Sequence, residues 1–281
     1  MKETIMRRNI NQNVVDDFGK EWKSFNQNDL STSELNDIFE NYFSNFPWDT
    51  LPDNSLGFDL GCGSGRWAEF VAPRVGKLFC IDPSKEALNV AKLKLKNFNN
   101  IIFENNSVDD LTLEDNSMDF GYSLGVLHHI PDTQAGLNSC VQKLKKNAPF
   151  LVYLYYRFDN KPLWFRLIWQ FSTLIRKVIS KSPFPIKYIL TQFIAISIYY
   201  PLSRLSKVLS MLGFAVENIP LSWYKDKSLY TLRTDSLDRF GTKLEHRFTK
   251  PEIIDMMKKA GLHNISFNDK SPYWCSIGYK K

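Results

Sequence analysis

The segment "FDLGCGSGRWAEF" at residues 58–70 constrains the fold of this chain more than any other feature. It has the pattern of a strand end, a glycine-rich loop and a helix start, an arrangement that binds nucleotide-type ligands at the carboxyl end of a strand. Gly61, Gly63 and Gly65 follow the spacing G-x-G-x-G, whereas a dinucleotide fingerprint requires its third glycine at the position of Arg66. The spacing therefore argues against a dinucleotide.

Two acidic residues narrow the class of ligand. Asp59 precedes the first glycine by two residues, at the strand end that faces the ligand. A carboxylate there repels a pyrophosphate and favours a cation, with a charge-assisted hydrogen bond worth about 1–3 kcal/mol. Asp82 closes the second strand, where an acid accepts hydrogen bonds from ribose hydroxyls. The two acids fit an adenosine ligand with a positively charged tail.

Strand and helix patterns alternate from Gly57 onward. The five strand patterns are "LGFDL", "KLFCID", "NIIFE", "MDFGYSLG" and "PFLVYLYY". Ser84 and Asp132 are positioned to begin two of the intervening helices, and Thr249 with Glu252 forms a capping box for the last one. "HNISF" and "YWCSIGYK" follow with a short link, which predicts an antiparallel hairpin. The pattern predicts an α/β fold with a Rossmann-like, doubly wound sheet that ends in this hairpin.

Four segments are expected along the chain. Residues 1–55 form a helical N-terminal lid, residues 56–156 the cofactor-binding core, residues 157–248 a helical insertion after the fifth strand, and residues 249–281 complete the core. Phe18 and Trp22 in the first segment either cover the cofactor or belong to the core. In the insertion we expect three helices, with a hinge at "SPFP" and a second helix that ends at Pro201.

Three stretches resemble the motifs of the class I S-adenosylmethionine-dependent methyltransferases: the glycine-rich "DLGCGSGRWA" discussed above, "CIDPS" and "NSVDDLTLEDNSMDFGYSLGVLHHIPD". The resemblance covers residues 57–156 by motif and 249–281 by topology. It implies that S-adenosyl-L-methionine is the cofactor and S-adenosyl-L-homocysteine the product. The implied cofactor residues are Asp59, Gly61, Gly63 and Gly65 at the methionine part, Asp82 at the ribose, Val108 and Asp109 at the adenine, Leu124 and Gly125 near the methionine, and also Cys62 and Pro83. Ser107 departs from the family pattern, which often has Asp at that position.

Methyl transfer requires few catalytic side chains, because the sulfonium is already an activated electrophile. The enzyme aligns the reactants and excludes water, and a general base helps only a hydroxyl or a protonated amine. The catalytic candidates are His128, His129, Tyr155 and His246. Arg239, Glu245, Arg247, Tyr273 and Trp274 add the polar and aromatic groups typical of an acceptor site. The alternative for each of these residues is packing, helix capping or a solvated loop.

The insertion has an unusual charge distribution. The whole chain has a net charge of +6, and residues 160–216 contain eight Lys and Arg but no Asp or Glu. Its cations alternate with aromatic residues such as Trp164, Phe165 and Trp169. This composition fits a lid over the acceptor pocket, an amphipathic contact with an anionic membrane surface, or a dimer contact. We favour the lid at this stage.

Composition also excludes several classes of protein. The first residues are too polar for a signal peptide, and no apolar run reaches the ~18–20 residues of a membrane span. The four cysteines form no CxxC pair, which argues against a zinc or other metal site and against a disulfide framework. We expect a cytoplasmic protein, or one peripheral to the membrane, that methylates O or N of a small or amphiphilic acceptor and binds no nucleic acid. The alternatives are a lipid-linked acceptor at the membrane surface and a non-catalytic protein that binds the cofactor.

Overall fold

Seven strands form one sheet in the order β3-β2-β1-β4-β5-β7-β6. The computed structural model describes residues 9–25, 30–268 and 273–281. The strands are β1 Leu56–Leu60, β2 Lys77–Ile81, β3 Ile101–Glu104, β4 Phe120–Leu124, β5 Pro149–Tyr153, β6 Leu262–Phe267 and β7 Cys275–Lys280. The first five pair in parallel, and β7 is antiparallel to both β5 and β6. The predicted α/β fold with its terminal hairpin is confirmed.

Ten α-helices accompany the sheet within the described ranges. They are α1 Gln12–Ser24, α2 Thr32–Phe43, α3 Ala68–Val71, α4 Lys85–Lys94, α5 Thr133–Lys143, α6 Leu163–Ile179, α7 Phe184–Ile194, α8 Tyr200–Met211, α9 Leu229–Gly241 and α10 Lys250–Lys259. The predicted caps are present. The Ser84 hydroxyl accepts a hydrogen bond from the Ala87 N–H at 3.2 Å, and Thr249 forms a complete capping box with Glu252. These caps fix where helices leave the sheet.

Close packing between neighbouring strands depends on two glycines at the centre of the sheet. A Cβ on Gly57 would lie 2.0 Å from the Phe120 ring, and a Cβ on Gly121 would lie 2.3 Å from the Phe58 ring. Each glycine in β1 or β4 therefore accommodates a phenylalanine of the other strand. Both rings are fully buried. This contact brings together the carboxyl ends of β1 and β4, where the strand order reverses and ligands bind in such sheets.

The chain divides into two compact units. The sheet unit contains residues 9–22, Phe39–Tyr156 and Leu244–Lys281, and the helical unit contains Arg157–Lys243 with the described residues of Lys23–Ile38. In the helical unit, a carboxylate oxygen of Glu34 accepts hydrogen bonds from the Ser228 N–H at 3.0 Å and the Thr231 hydroxyl at 2.8 Å. The first half of α2 thus packs at the beginning of α9.

Three local expectations are wrong. The helix predicted to end at Pro201 continues, because a π-helical turn at Ala195–Tyr199 joins α7 to α8 and places the proline in the first turn of α8. Proline is tolerated there, since its missing N–H has no carbonyl partner in a first turn. Strand β5 ends at Tyr153, before the tyrosines predicted to close it. Helix α9 is a fourth helix of the helical insertion, in which three were expected.

Candidate functional site

The glycine-rich loop after β1 turns sharply beside the segment that follows β4. Gly61, Gly63 and Gly65 have φ angles of +76°, +54° and +75°, in the left-handed region that favours glycine. A Cβ on Gly61 would lie only 2.3 Å from the Val126 side chain. The Gly61 N–H donates to the carbonyl of Ile81 at 2.7 Å. The loop therefore holds its backbone close to the ends of three strands, β1, β2 and β4.

Asp59 is a buried carboxyl group next to this loop. It is 1% exposed, and its Oδ2 atom has no hydrogen-bond partner in the described part of the chain. Its pKa is raised to about 8, chiefly by burial and also by the charge of Asp82, although a hydrogen bond with Tyr122 and the charge of Arg66 lower it. An unpartnered buried carboxyl group is costly unless a ligand pairs with it. Asp59 thus fits a ligand that carries an ammonium group.

Asp82 holds the loop in place. One of its carboxylate oxygens accepts the Gly63 N–H at 3.0 Å, and the other accepts the Ser84 N–H at 2.8 Å. Burial raises its pKa to about 6, and these two bonds lower it. Each carboxylate oxygen has a second lone pair, so both can still accept hydrogen bonds from ribose hydroxyls. Asp82 therefore combines a structural role with the capacity to bind a ligand.

The remaining cofactor candidates surround the same edge of the sheet. Cys62 is buried, and its neighbour Cys80, followed by burial, raises the pKa of its thiol well above the usual range. Pro83 is half-buried, and its carbonyl accepts the Asn105 side-chain amide at 2.9 Å. Val108 and Leu124 are buried. These residues shape the cleft by packing and contribute no charge to it.

Asp109, an expected adenine neighbour, is exposed and hydrogen-bonded by a residue that no sequence pattern marks. Its carboxylate accepts a hydrogen bond from the Asn9 backbone N–H. The Asn9 side chain also donates to the Asp132 carbonyl and accepts the Asp132 N–H, each at 2.7 Å. Asn9 therefore ties the chain before α1 to the loops after β3 and β4. No motif marks it, since the contacts span 100 residues or more.

Gly125 has the geometry of a ligand-facing position. Its φ angle is +80°, and a Cβ added to it would meet no atom within 4 Å. Its N–H donates to the Tyr153 carbonyl at 3.2 Å, which fixes the loop to β5. The left-handed backbone explains why glycine is favoured there, whereas the open space explains how a ligand can reach it.

Helix α1 crosses the glycine-rich loop and the end of β4. The Trp22 ring would lie 2.9 Å from a Cβ on Gly63. The Phe18 ring centre is 5.0 Å from that of His129. The guanidinium of Arg66 stacks 5.4 Å from the centre of the Trp22 ring. Both aromatic residues considered as lid candidates therefore contact predicted site residues.

The four catalytic candidates come together in one histidine–tyrosine cluster, formed by His128, His129, Tyr155 and His246. The His128 ring stacks on Tyr155 with centres 3.8 Å apart and lies 4.0 Å from the His129 ring. The His246 backbone N–H donates to the His128 carbonyl at 2.9 Å. An imidazole nitrogen of His129, Nδ1, lies 2.7 Å from the Leu244 carbonyl. The loop before α10 thus closes against the short turn after β4.

His128 is the most unusual member of the cluster. It is fully buried, and neither ring nitrogen has a hydrogen-bond partner among residues 9–25, 30–268 and 273–281. Burial lowers the pKa of His128 well below its usual range, and His129, Arg247 and His246 lower it further. The imidazole is therefore neutral near pH 7, and one of its ring nitrogens carries a lone pair. Nε2 of His246 is a second buried nitrogen without a partner in the described residues.

Two of the charged residues near His246 form a buried ion pair. Arg247 Nε lies 2.7 Å from a Glu245 carboxylate oxygen, with side chains 11% and 4% exposed. The Arg247 guanidinium is 4.9 Å from the Tyr155 ring centre. Burial lowers the pKa of Arg247, but Glu245 more than offsets this and keeps it charged. The sequence marked this stretch only as dense in polar residues, and the pairing depends on the tertiary fold.

Arg239, Tyr273 and Trp274, which were also expected at the acceptor site, contact other side chains. Arg239 belongs to α9 in the helical unit, where it bonds to the hydroxyls of Ser172 and Thr173. Tyr273 and Trp274 stack against Tyr156 at 5.7 Å and 6.2 Å. The first two residues of the predicted stretch "SPYWC" lie outside the described residues.

The residues present fit S-adenosylmethionine. Asp59 offers an unpartnered carboxyl group for an ammonium, Asp82 retains acceptor capacity for ribose hydroxyls, and Gly125 leaves open space beside them. Tyr122, in strand β4, lies opposite Asp59 in the sheet register and has a buried hydroxyl beside that carboxyl group. These are the polar groups that a zwitterionic nucleoside requires.

Comparison with known proteins agrees with this chemistry. Residues 58–152 match the family model described as "Methyltransferase domain". A ubiquinone biosynthesis O-methyltransferase of Nitrosomonas europaea is 34% identical over 92 residues, which are 32% of this chain and 39% of that protein. The uncharacterized methyltransferase YcgJ of Bacillus subtilis is 27% identical over 100 residues, 35% of this chain and 40% of that protein. This chain therefore aligns with about two fifths of the length of the curated relatives it matches.

Among solved structures, the complex of the Haloferax volcanii Trm112 methyltransferase activator with a methyltransferase contains a chain that is 14% identical. The alignment covers 93% of this chain and 96% of that one, with a TM-score of 0.49.

Proposed function

We propose that this chain, whose residues 58–152 match the methyltransferase-domain family model, is a class I S-adenosylmethionine-dependent methyltransferase that methylates an oxygen atom of a small, amphiphilic organic acceptor. The observation that carries the proposal is His128, a neutral and fully buried imidazole without a hydrogen-bond partner in the described chain. A hydroxyl acceptor needs a base that removes its proton, and a neutral imidazole is such a base. No hydrogen bond among the described residues occupies the ring nitrogens of His128.

Different residues bind the cofactor and the acceptor. When bound, the cofactor supplies an activated methyl group on a sulfonium. Asp59 binds the ammonium of the cofactor, Asp82 binds the ribose hydroxyls, and Phe18 and Trp22 of α1 cover the loop and exclude water. His128 accepts the proton of the acceptor hydroxyl. Tyr155 holds the His128 ring in position by stacking, and Arg247 in turn stacks on Tyr155.

Two lines of support favour oxygen over nitrogen. Several relatives are named as O-methyltransferases of ubiquinone biosynthesis. A neutral amine would need no base, which would leave the unpartnered nitrogens of His128 unexplained. We extend the proposal to acceptors with an apolar tail, because Tyr155, Tyr156 and Phe248 give the cluster aromatic surroundings.

A labelled-methyl assay tests the proposal. The purified protein is incubated with S-adenosylmethionine and a panel of phenols that carry alkyl tails of increasing length, and S-adenosylhomocysteine is measured by mass spectrometry. Turnover with phenols and a smaller rate with the matching anilines is the expected result. His128→Gln lowers the rate and leaves S-adenosylhomocysteine affinity unchanged, whereas Asp59→Asn weakens that affinity.

The same assay distinguishes the alternatives. Turnover of anilines but not of phenols would contradict the oxygen assignment. Tight binding of S-adenosylhomocysteine without turnover of any acceptor would instead favour a non-catalytic binding protein. Turnover only when the phenol carries a long tail and is presented in vesicles would identify a lipid-linked acceptor.

A further inference from the structure

Helix α6 exposes a continuous apolar stripe to solvent, while an arginine on its opposite side is buried. Leu163, Leu167, Phe171, Leu174 and Val178 follow one stripe at helical spacing and are 55–71% exposed. The opposite side carries the buried Arg176 and two half-buried hydroxyl residues together with Phe165, Trp169 and Ile179, which are half-buried or buried. This is the reverse of the usual arrangement, in which the apolar stripe of an amphipathic helix faces the core.

The next two helices repeat the reversal. The exposed apolar residues from residue 163 to the end of the segment after α8 form what we term the apolar face: Leu163, Trp164, Leu167, Ile168, Phe171, Leu174, Ile175, Val178, Ile186, Ile189, Leu190, Phe193, Ile196, Ile198, Tyr200, Leu205, Val208, Met211, Leu212 and Phe214. The buried sides of α7 and α8 instead contain Lys187, Thr191, Gln192, Ser203 and Ser206. The Lys187 ammonium donates to the Gly241 carbonyl at 2.9 Å inside the unit. Beyond this segment, the large apolar residues exposed in the described chain are only Leu93, Ile102 and Leu229.

Charge accompanies the apolar face. Residues 160–216 contain no Asp or Glu, and the side chains of Arg166, Lys177 and Lys181 are exposed in this segment. Lys207 is also exposed and pairs with Asp226, outside the segment, at 3.3 Å. A surface that is both apolar and cationic matches a bilayer with anionic headgroups, where hydrocarbon receives the apolar side chains and phosphate receives the cations. A second copy of the same face would bring cations against cations.

We propose that the apolar face docks the helical unit on the surface of an anionic lipid bilayer, with α6, α7 and α8 lying in the plane of the interface. In the described residues, no helix is long and apolar enough to cross a membrane. Interfacial helices are recognised by a strongly apolar side, basic flanks and the absence of a spanning length, all of which are present. This inference goes beyond the methyl-transfer proposal, since it concerns the surface on which the protein works and holds for any acceptor.

Vesicle binding tests the inference directly. The full-length protein is mixed with vesicles of phosphatidylcholine containing 30 mol% phosphatidylglycerol and separated by flotation, with pure phosphatidylcholine vesicles in parallel. The protein floats with the anionic vesicles, and the bound fraction falls as salt rises. Binding to the pure phosphatidylcholine vesicles is at least tenfold weaker.

Substitutions on the face provide matched controls. Phe171→Asp with Phe193→Asp lowers vesicle affinity more than tenfold, and their exposures of 65% and 68% let the protein keep its fold by circular dichroism. Leu93→Asp is the control, because Leu93 is 74% exposed but lies on α4 in the sheet unit. Its vesicle affinity stays within twofold of the parent protein.

The cations are tested in the same way. Each cation near an anionic surface contributes about fivefold in affinity, so Lys177→Gln with Lys181→Gln lowers vesicle binding by about 25-fold. Lys96→Gln with Lys146→Gln removes two exposed cations of the sheet unit and leaves binding unchanged. Equal losses from the two pairs would overturn the assignment of the face.

Trp164 gives a local readout of insertion. It is 47% exposed on the apolar face, so brominated acyl chains quench its fluorescence on binding, and Trp164→Phe removes that part of the quenching. Three results would overturn the inference: no flotation with anionic vesicles, quenching unaltered by Trp164→Phe, or a stable dimer that Phe171→Asp with Phe193→Asp dissociates. The dimer would assign the face to a second copy.

Discussion

Asp59→Asn is expected to raise the stability of the protein and to weaken its binding of the ligand. Burial raises the pKa of the native Asp59 carboxyl from 3.8 to about 8. At pH 7 the folded protein therefore holds a proton that the unfolded chain has released. Because proton binding is linked to folding, holding this proton lowers the free energy of unfolding by about 1.4 kcal/mol for each pH unit above the unfolded pKa. At pH 7 the loss is about 4 kcal/mol. Asn is neutral in both states and removes the cost.

The sign and the pH window follow from the raised pKa. The wild-type protein loses stability as pH rises from about 4 to about 8, so the advantage of Asp59→Asn is absent below that window and constant above it. Urea unfolding at pH 5 and pH 7 gives differences of about 1.5 and about 4 kcal/mol in the free energy of unfolding. In thermal melts at pH 7 the variant gains about 5–10 °C.

Asp119→Asn is the matched control in the same sheet. Asp119 already accepts the Leu56 N–H at 2.9 Å and pairs with Lys145 at 2.7 Å, so its replacement destabilises the protein. A loss of stability in Asp59→Asn at pH 7, or an advantage equal at pH 5 and pH 7, would refute the reasoning.

The ligand side of the same variant is measured by calorimetry. Asp59→Asn weakens S-adenosylhomocysteine binding by about 1–3 kcal/mol, because it removes a charge-assisted hydrogen bond to the ammonium. 5′-Methylthioadenosine lacks the amino-acid part and binds both proteins equally. An equal loss for the two ligands would mean that Asp59 shapes the cleft rather than binding the ammonium.

Three further predictions concern the rest of the site. Gly125→Ala and Gly213→Ala each place a Cβ in open space on a left-handed backbone, with φ angles of +80° and +84°. Each therefore lowers the free energy of unfolding by about 1–2 kcal/mol in thermal melts. Only Gly125→Ala weakens binding of S-adenosylhomocysteine in calorimetry. His128→Gln lowers kcat about 10²–10⁴-fold in the methyl-transfer assay. Because burial lowers the pKa of His128, the wild-type protein loses stability below about pH 6.5, and the variant loses less in acid unfolding. Arg247→Met leaves Glu245 buried without its ion-pair partner and costs about 3–5 kcal/mol in urea unfolding, whereas adding Glu245→Leu recovers most of the loss.

The sheet and the cofactor loop could be predicted because their signals are local. The glycine spacing, the acids at the strand ends and the caps at Ser84 and Thr249 each act within a few residues. The contacts around Asn9 and the pairing of Glu245 with Arg247 beside Tyr155 depend on long-range packing, which no spacing rule encodes. The sequence therefore indicates which residues belong to the predicted site but not which of them contact one another.

The helical unit shows a different limit of sequence reasoning. Periodicity correctly located α6, because apolar residues recur every three or four positions, but periodicity is the same whichever side faces inward. Hydrophobicity alone does not indicate which side faces inward, and in this unit Arg176 and Lys187 are buried while Phe171 and Phe193 are exposed. The absence of Asp and Glu from residues 160–216 was the one signal of the reversal. A helix whose apolar side faces water usually balances its cations with acids for solubility, whereas a helix at an anionic surface gains from having none.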